Sequence, residues 1–374
     1  MKTNLTFPLA ALLLSAAVSC NKSVQDSPSD YPPMNGAVTV NIGLDEVTKS
    51  AFADRKDFQI SKVQVLVFDA DGKLETDSYS AISPVNNSTS ITIATFTGAK
   101  TVYAILNHPR LYYGKDTALS TLENQLSDLK DNSPTCLVMS GKNSLTVTEY
   151  DRNKNPQAVP QTLNIYVKRL AAMILLDKLY VDFSGTSLEG ASFSIQELYL
   201  KNVVGKCPLG VNGITADANS EVRPLALSDS QHTDAGNWYN KITKQASGAP
   251  AVILDSWSKS VPTDGQAETV SRCLFAYPNK TTGDSHDDSF NQRHTRLVLK
   301  AHIKKDGVAD TDSYYVFDLP VLQANNIYKI GSITLTMLGK DDDNKDDDLQ
   351  AGRITHTILV DNWAAPEVPL SYEF

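Results

Sequence analysis

Gly36-Ala37-Val38-Thr39-Val40-Asn41-Ile42-Gly43-Leu44 is followed by Asp45-Glu46-Val47-Thr48-Lys49-Ser50-Ala51-Phe52-Ala53-Asp54-Arg55. In the first nine residues Val38, Val40, Ile42 and Leu44 alternate with Thr39, Asn41 and Gly43. One face is apolar and the other polar or bare, the period-two signature of a half-buried strand. The second stretch is polar enough to be an exposed loop. It carries Lys49 and Arg55, and an exposed, extended basic site is what a trypsin-like protease needs. A cut there would separate the strand from the rest of its sheet and leave an empty slot.

Upstream, residues 1–20 read as an export signal. Lys2 supplies the positive start, and residues 7–18 form an apolar stretch too short to span a bilayer. It ends in Ala17-Val18-Ser19-Cys20. Small residues before a cysteine resemble a lipobox, where a lipoprotein signal peptidase cuts and Cys20 becomes the acylated N-terminus. Residues 21–35 are rich in Ser, Asp and Pro without apolar periodicity, and read as a tether.

The 374 residues leave room for two domains with real cores once signal and tether are set aside. The formal charge of -9 lacks the basic stripe that nucleic acid requires and suits a surface protein. Cys136, Cys207 and Cys273 are widely spaced and form no CxxC, so a disulfide scaffold and a zinc ribbon are both disfavoured. They read as small buried hydrophobes, with a single bridge between two of them left open.

Strand patterns continue along the chain. Residues 63–68 are apolar on both faces and end in the turn Asp69-Ala70-Asp71-Gly72, which predicts a covered central strand and a hairpin. Residues 90–93 alternate, and residues 100–106 form another covered strand. Ser120 and Glu123 have the spacing of a capping box, and Leu122, Leu126 and Leu129 recur at helical spacing, which predicts one helix. Residues 137–139 and 144–148 return to strand character. The Pro-rich polar passage 154–160 marks a boundary. Residues 163–176 fit a long strand or a buried helix, and the β-branched and aromatic start favours strand. Strands follow at 193–204, 251–254, 272–277, 296–303, 314–322 and 327–337. The whole predicts an all-β chain of antiparallel sandwich type, in two tandem domains at 36–160 and 161–340.

Four places together resemble the fimbrillins, the major-subunit-like lipoprotein precursors of type V pili. They are the lipobox and tether before Ala37-Val38-Thr39-Val40; Lys49-Ser50-Ala51-Phe52 with Lys62-Val63-Gln64-Val65-Leu66-Val67-Phe68; Val167-Lys168-Arg169-Leu170-Ala171-Ala172-Met173; and Ile358-Leu359-Val360-Asp361-Asn362-Trp363 before one more short strand. Their order spans nearly the whole chain. The resemblance implies two transthyretin-like β-sandwich domains and a lipoprotein carried to the outer membrane. It also implies a protease that removes the first strand, 37–44, and subunits that then join by strand exchange into a cell-surface fimbrium. One departure matters. The family's scissile arginine precedes an Ala-Phe-like pair, and Ser50 holds that place here, with Lys49 before it and Arg55 beyond. Cleavage at Lys49, cleavage at Arg55 and no cleavage all stay open. The last would suit a pilus anchor.

No catalytic pattern stands out. The six histidines, His108, His232, His286, His294, His302 and His356, are scattered, and no nucleophile elbow or phosphate loop occurs. His286-Asp287-Asp288 reads as a solvated loop. Asp341-Asp342-Asp343-Asn344-Lys345-Asp346-Asp347-Asp348 lacks the glycine and closing Glu of a calcium loop and reads as a charged linker. Trp238 and Trp257 read as core or interface residues ahead of a sugar-stacking surface. No cofactor is implied.

The segment 341–374 is that linker and a tail with two strand patterns. Ile354, His356, Ile358 and Val360 alternate with Thr355, Thr357, Leu359 and Asp361; after Trp363 and Pro366, Val368, Leu370, Tyr372 and Phe374 alternate with Pro369, Ser371 and Glu373. The second set matches Val38, Val40, Ile42 and Leu44 in number and spacing, and is the expected donor strand. The sequence thus favours a structural subunit that polymerises with copies of itself and supports adhesion. The alternatives are a non-polymerising outer-membrane lipoprotein that binds glycan or host protein, and the pilus anchor.

Overall fold

A computed structural model describes residues 34–44, 59–86, 88–133, 135–150, 159–212, 238–241, 258–279, 295–307, 309–341 and 354–362. The first set of strands is β1 (Gly36–Leu44), β2 (Gln59–Phe68), β3 (Leu74–Asn86), β4 (Ser88–Thr95), β5 (Gly98–Leu106), β6 (Leu126–Asp128), β7 (Met139–Val147) and β8 (Gln161–Arg169), with a short helix α1 (Leu119–Glu123) between β5 and β6. The second set is β9 (Ala172–Asp182), β10 (Ser192–Val204), β11 (Lys206–Pro208), β12 (Trp238–Lys241), β13 (Lys259–Val261), β14 (Asp264–Ala276), β15 (Arg296–Lys304), β16 (Thr311–Asp318), β17 (Asn326–Leu335) and β18 (Ile354–Asn362).

The first seven-stranded path runs β3-β2-β5-β7-β8-β1-β4. The β7–β8 ladder is confined to Met139↔Arg169 and Ser140↔Lys168, and the path doubles over there into two layers. Val38, Val40 and Ile42 of β1 and Leu163, Ile165 and Val167 of β8 then meet Val63, Val65, Val67, Val102 and Ala104 of β2 and β5 in one core. The other face of β2 and β5, carrying Leu66, Phe68, Tyr103 and Ile105, enters a second core. Burial on both faces is why residues 63–68 and 100–106 read as largely apolar on both faces.

The second set repeats this plan. β9 lies between β14, antiparallel, and β17, parallel. In the same way β1 lies between β4, antiparallel, and β8, parallel. The opposing layer is β12-β10-β15-β16, with β13 also on β10, and it matches β3-β2-β5-β7 strand for strand. The chain is therefore all-β, two tandem sandwiches of one topology, antiparallel except for the β1–β8 and β9–β17 pairs. β18 is an addition on the outer edge of β17.

Two expectations need correction. The predicted helix through Leu129 is only the five residues of α1, whose N-cap is Ala118 with no side-chain cap. Leu122 and Leu129 are fully buried, but Leu126 lies in β6, which pairs with β11. Leu129 N–H donates to Gly205 O at 2.7 Å. Contacts distant in sequence override the local helical spacing. A capping box is present instead between Asp128 and Asp131, across a 3-10 turn at Leu129–Asp131. The second concerns residues 163–176. They are two strands, β8 and β9, parted at the buried pair Leu170-Ala171 where the chain passes from one sandwich to the next.

Candidate functional site: the slot that the first strand fills

The first strand is an interior strand. On one side β1 pairs with β4 from Gly36↔Thr95 to Gly43↔Ser88. On the other it pairs with β8 from Val38↔Gln161 to Leu44↔Val167. Val38 and Val40 have no exposed surface, Ile42 is 1% exposed and Leu44 7%. On the opposite face Thr39 Oγ1 lies 2.9 Å from Thr92 Oγ1, and Asn41 Nδ2 donates to Asn164 Oδ1 at 3.1 Å. The apolar side chains serve the core and the polar ones stitch the outer surface. A slip of one residue would exchange the two sets, so the register is well specified.

The entrance is tight. A Cβ on Gly36 would come within 2.6 Å of Val147 Cγ1, so the strand begins where only glycine fits. Asn35 holds the approach, its O accepting from Tyr150 N at 2.7 Å and its Oδ1 from Thr97 N at 3.2 Å. Beside it Thr95 Oγ1 donates to Glu75 Oε2 at 2.6 Å, and Lys100 Nζ to Glu75 Oε1 at 2.5 Å.

Burying four such side chains is worth roughly 6–12 kcal/mol at about 1.5–3 each, an upper bound because an unfolded chain already hides part of that surface. Without β1, β4 and β8 would face each other across one strand's width, with unpaired backbone groups on both sides. Such an edge is a template for an added strand. The chemistry of the slot is shape, apolar pockets and backbone pairing.

Residues 25–169 match the family model for the major fimbrial subunit protein FimA, and this stretch takes in β1 to β8. Over that stretch the chain is similar to the fimbrillins. Solved structures share its fold over nearly the whole length. A fimbrilin from Porphyromonas gingivalis aligns with a TM-score of 0.56 at 15% identity, covering 90% of this chain and 99% of that one. A candidate cell adhesion protein from Bacteroides eggerthii aligns at 0.57 and 15%, covering 90% and 98%. Another from Parabacteroides distasonis aligns at 0.52 and 14%, covering 90% and 100%. No curated protein matches the chain.

The other expected site residues, Cys20, Lys49, Arg55, Val368, Leu370, Tyr372 and Phe374, lie outside the described residues. So do Trp257, the His286-Asp287-Asp288 cluster and residues 342–348. The first strand pattern of the tail is described. It is β18, antiparallel to β17 from Leu335↔Ile354 to Asn326↔Asn362, so it extends its own second sandwich. No disulfide joins Cys136, Cys207 and Cys273; Cys207 is fully buried and the other two partly. Among the described residues no group of carboxylates, histidines and cysteines is arranged to hold a metal ion.

Two described histidines have acidic neighbours. His108 is buried, which pushes its imidazole below the usual value, with Nε2 3.6 Å from Asp131 Oδ2. His302, on β15, has Nδ1 2.9 Å from Asp312 Oδ1 and Nε2 3.5 Å from Asp310 Oδ2. Its hydrogen bond to Asp312 raises its pKa and lowers that of Asp312. The His302 contacts staple a hairpin, and periodicity within one strand gave no sign of them because the carboxylates come from its neighbour.

Proposed function

We propose that this protein is a fimbrillin-type pilus subunit that polymerises by strand exchange at the β1 slot. The observation that carries the reading is the position of β1: an N-terminal strand paired on both sides, between β4 and β8, with four side chains in the core and a polar, basic-residue-bearing sequence directly after it. In the precursor, Cys20 carries the lipid and attaches the chain to the outer membrane. More than one acyl chain makes that attachment stable. A trypsin-like protease cuts at Lys49 or Arg55, and β1 leaves. Val368, Leu370, Tyr372 and Phe374 of another subunit then enter the slot, their alternate side chains replacing Val38, Val40, Ile42 and Leu44. The product is a cell-surface fimbrium of repeated subunits that supports adhesion.

The arrangement of β18 fits this route. Its pairing with β17 ends at Asn362, so the donor segment starts from a fixed point on the second sandwich. N-terminal sequencing of the surface-assembled protein tests the proposal. A start at Ser50 or Lys56 is the expected result, and Lys49→Gln combined with Arg55→Gln should trap a lipidated, unpolymerised precursor. An acylated Cys20 on the assembled protein would show that β1 stays, which is the behaviour of an anchor or a monomeric binder.

A further inference from the structure

Between β5 and α1 the chain crosses the face of β2 and β3 that is turned away from the first core. Leu111 and Tyr113 pack against the core shared by the two sandwiches, while Arg110 and Tyr112 are exposed. This crossing is pinned by one buried side chain. Gln64 on β2 is 3% exposed. Its Nε2 donates to Leu111 O at 2.8 Å, and its Oε1 accepts from Leu111 N at 3.0 Å. The same Nε2 also reaches Asp77 Oδ2 at 3.3 Å. A single amide thus grips the peptide of Leu111 in both directions, as a neighbouring strand would.

The residues on either side of Leu111 are fixed as a result. The guanidinium carbon of Arg110 lies 4.8 Å from the ring centre of Tyr112 and 5.6 Å from that of Tyr79 on β3. Arg110 Nη2 is 3.7 Å from Asp77 Oδ2. Tyr112 is 81% exposed, more than any other large apolar side chain among the described residues. A surface tyrosine left loose costs nothing, whereas one held still loses rotamer freedom. Here a buried glutamine, an ion pair and two cation–π contacts hold a ring out in water, where it contributes nothing to a core.

We propose that Tyr112, Tyr79, Arg110 and Asp77 form a shallow binding site for one neutral pyranose residue of a glycan. The apolar area on offer is two rings, one of them half-buried. That falls well short of the roughly 800 Å² per side that a stable protein interface buries, so the occupant is small. A pyranose has a flat face of C–H groups that lies on a tyrosine ring and a rim of hydroxyls. Arg110 supplies fixed donors and Asp77 acceptors to adjacent hydroxyls. Asp77 already offsets the charge of Arg110, so the site offers no unpaired cation to an acidic sugar. The site lies on the face of its layer opposite the β1 slot and does not depend on strand exchange.

The test uses the full chain with isotope-labelled tyrosine, titrated with methyl α-mannoside, lactose and sialyllactose while the ring signals are followed. Methyl α-mannoside or lactose should shift the Tyr112 and Tyr79 signals. Tyr112→Ala should weaken that binding about tenfold or more, the scale of one aromatic contact, and Tyr112→Trp should retain it. Tyr112 is exposed, so neither change threatens the fold, and circular dichroism checks this. The proposal is overturned if neither neutral sugar moves the signals, if only sialyllactose does, or if the affinity of Tyr112→Ala is unchanged.

Discussion

Ile42 and His302 show what single side chains contribute. Ile42 sits in the core of the first sandwich with 1% exposure. Ile42→Ala should destabilise the uncut chain by about 2–5 kcal/mol through lost transfer energy and the cavity left behind. If β1 is removed on maturation, the same substitution should leave the assembled polymer unaffected. Denaturation of both forms compares them directly, and equal weakening of the two would mean that β1 remains in place. At His302 the hydrogen bond to Asp312 raises the folded pKa above the ordinary 6.5. Lys300 also faces the pair, with Nζ 3.2 Å from Asp312 Oδ2. The stabilising contribution of His302 is therefore complete below about pH 6.5 and fades as the pH rises through the higher folded value. Asp312 works the other way: its folded pKa is depressed, and its share is lost as the pH falls through that value. Titration of the His302 ring by NMR should give a midpoint above 6.5, and Asp312→Asn should bring it back down.

At the scale of the element, the decisive question is which strand fills which slot. Deleting 368–374 should spare folding and export and stop polymer growth, because the pairing of β18 with β17 lies entirely upstream of the deletion. Leu370→Asp with Tyr372→Asp should do the same by bringing charges to apolar pockets. Long polymers of either variant, seen by electron microscopy, would rule out the donor assignment. β1 was legible because Val38, Val40, Ile42 and Leu44 fill one face and Thr39, Asn41 and Gly43 leave the other polar or bare, so periodicity alone marks strand and buried face. β3 was not: Thr76, Asp77, Ser78 and Ser80 are half-buried and polar, since one side of the strand is an edge and part of its surface lies under the 107–118 crossing. The capping-box spacing of Ser120 and Glu123 misled for a related reason. Six residues downstream the chain finds β11 as a strand partner, and no local window contains that partner. The pattern of residues 354–362 announced a strand without saying whose. Its register on β17 belongs to the fold, and alternation carries no address.

Over the whole molecule, the two sandwiches share more than a linker. The second core runs from Leu66 and Tyr103 in the first sandwich through Leu129 and Leu137 to Leu176, Phe275 and Tyr328 in the second. Polar contacts close the same junction. Tyr103 Oη and Ser140 Oγ each donate to Leu209 O at 2.7 Å, and Arg169 N donates to Asn325 Oδ1 at 3.1 Å. Tyr277 Oη bonds with Ser127 Oγ at 2.9 Å and accepts from Asn132 Nδ2 at 3.0 Å. β8 passes into β9 through Leu170 and Ala171, both fully buried, with no free spacer. In a pilus assembled as proposed, load entering at a donor strand beside β8 would run through β9 to β17, β18 and the next donor. Every step inside the subunit is continuous chain or a hydrogen-bonded ladder. Such a subunit should be stiff within itself. Its two sandwiches should accordingly unfold together. Calorimetry should show one transition whose calorimetric and van't Hoff enthalpies agree. Leu129→Ala, which opens a cavity in the shared core, should lower that single transition by the equivalent of about 2–5 kcal/mol. Two resolved transitions in the unaltered chain would mean that the sandwiches are independent bodies and that the shared core adds no cooperativity.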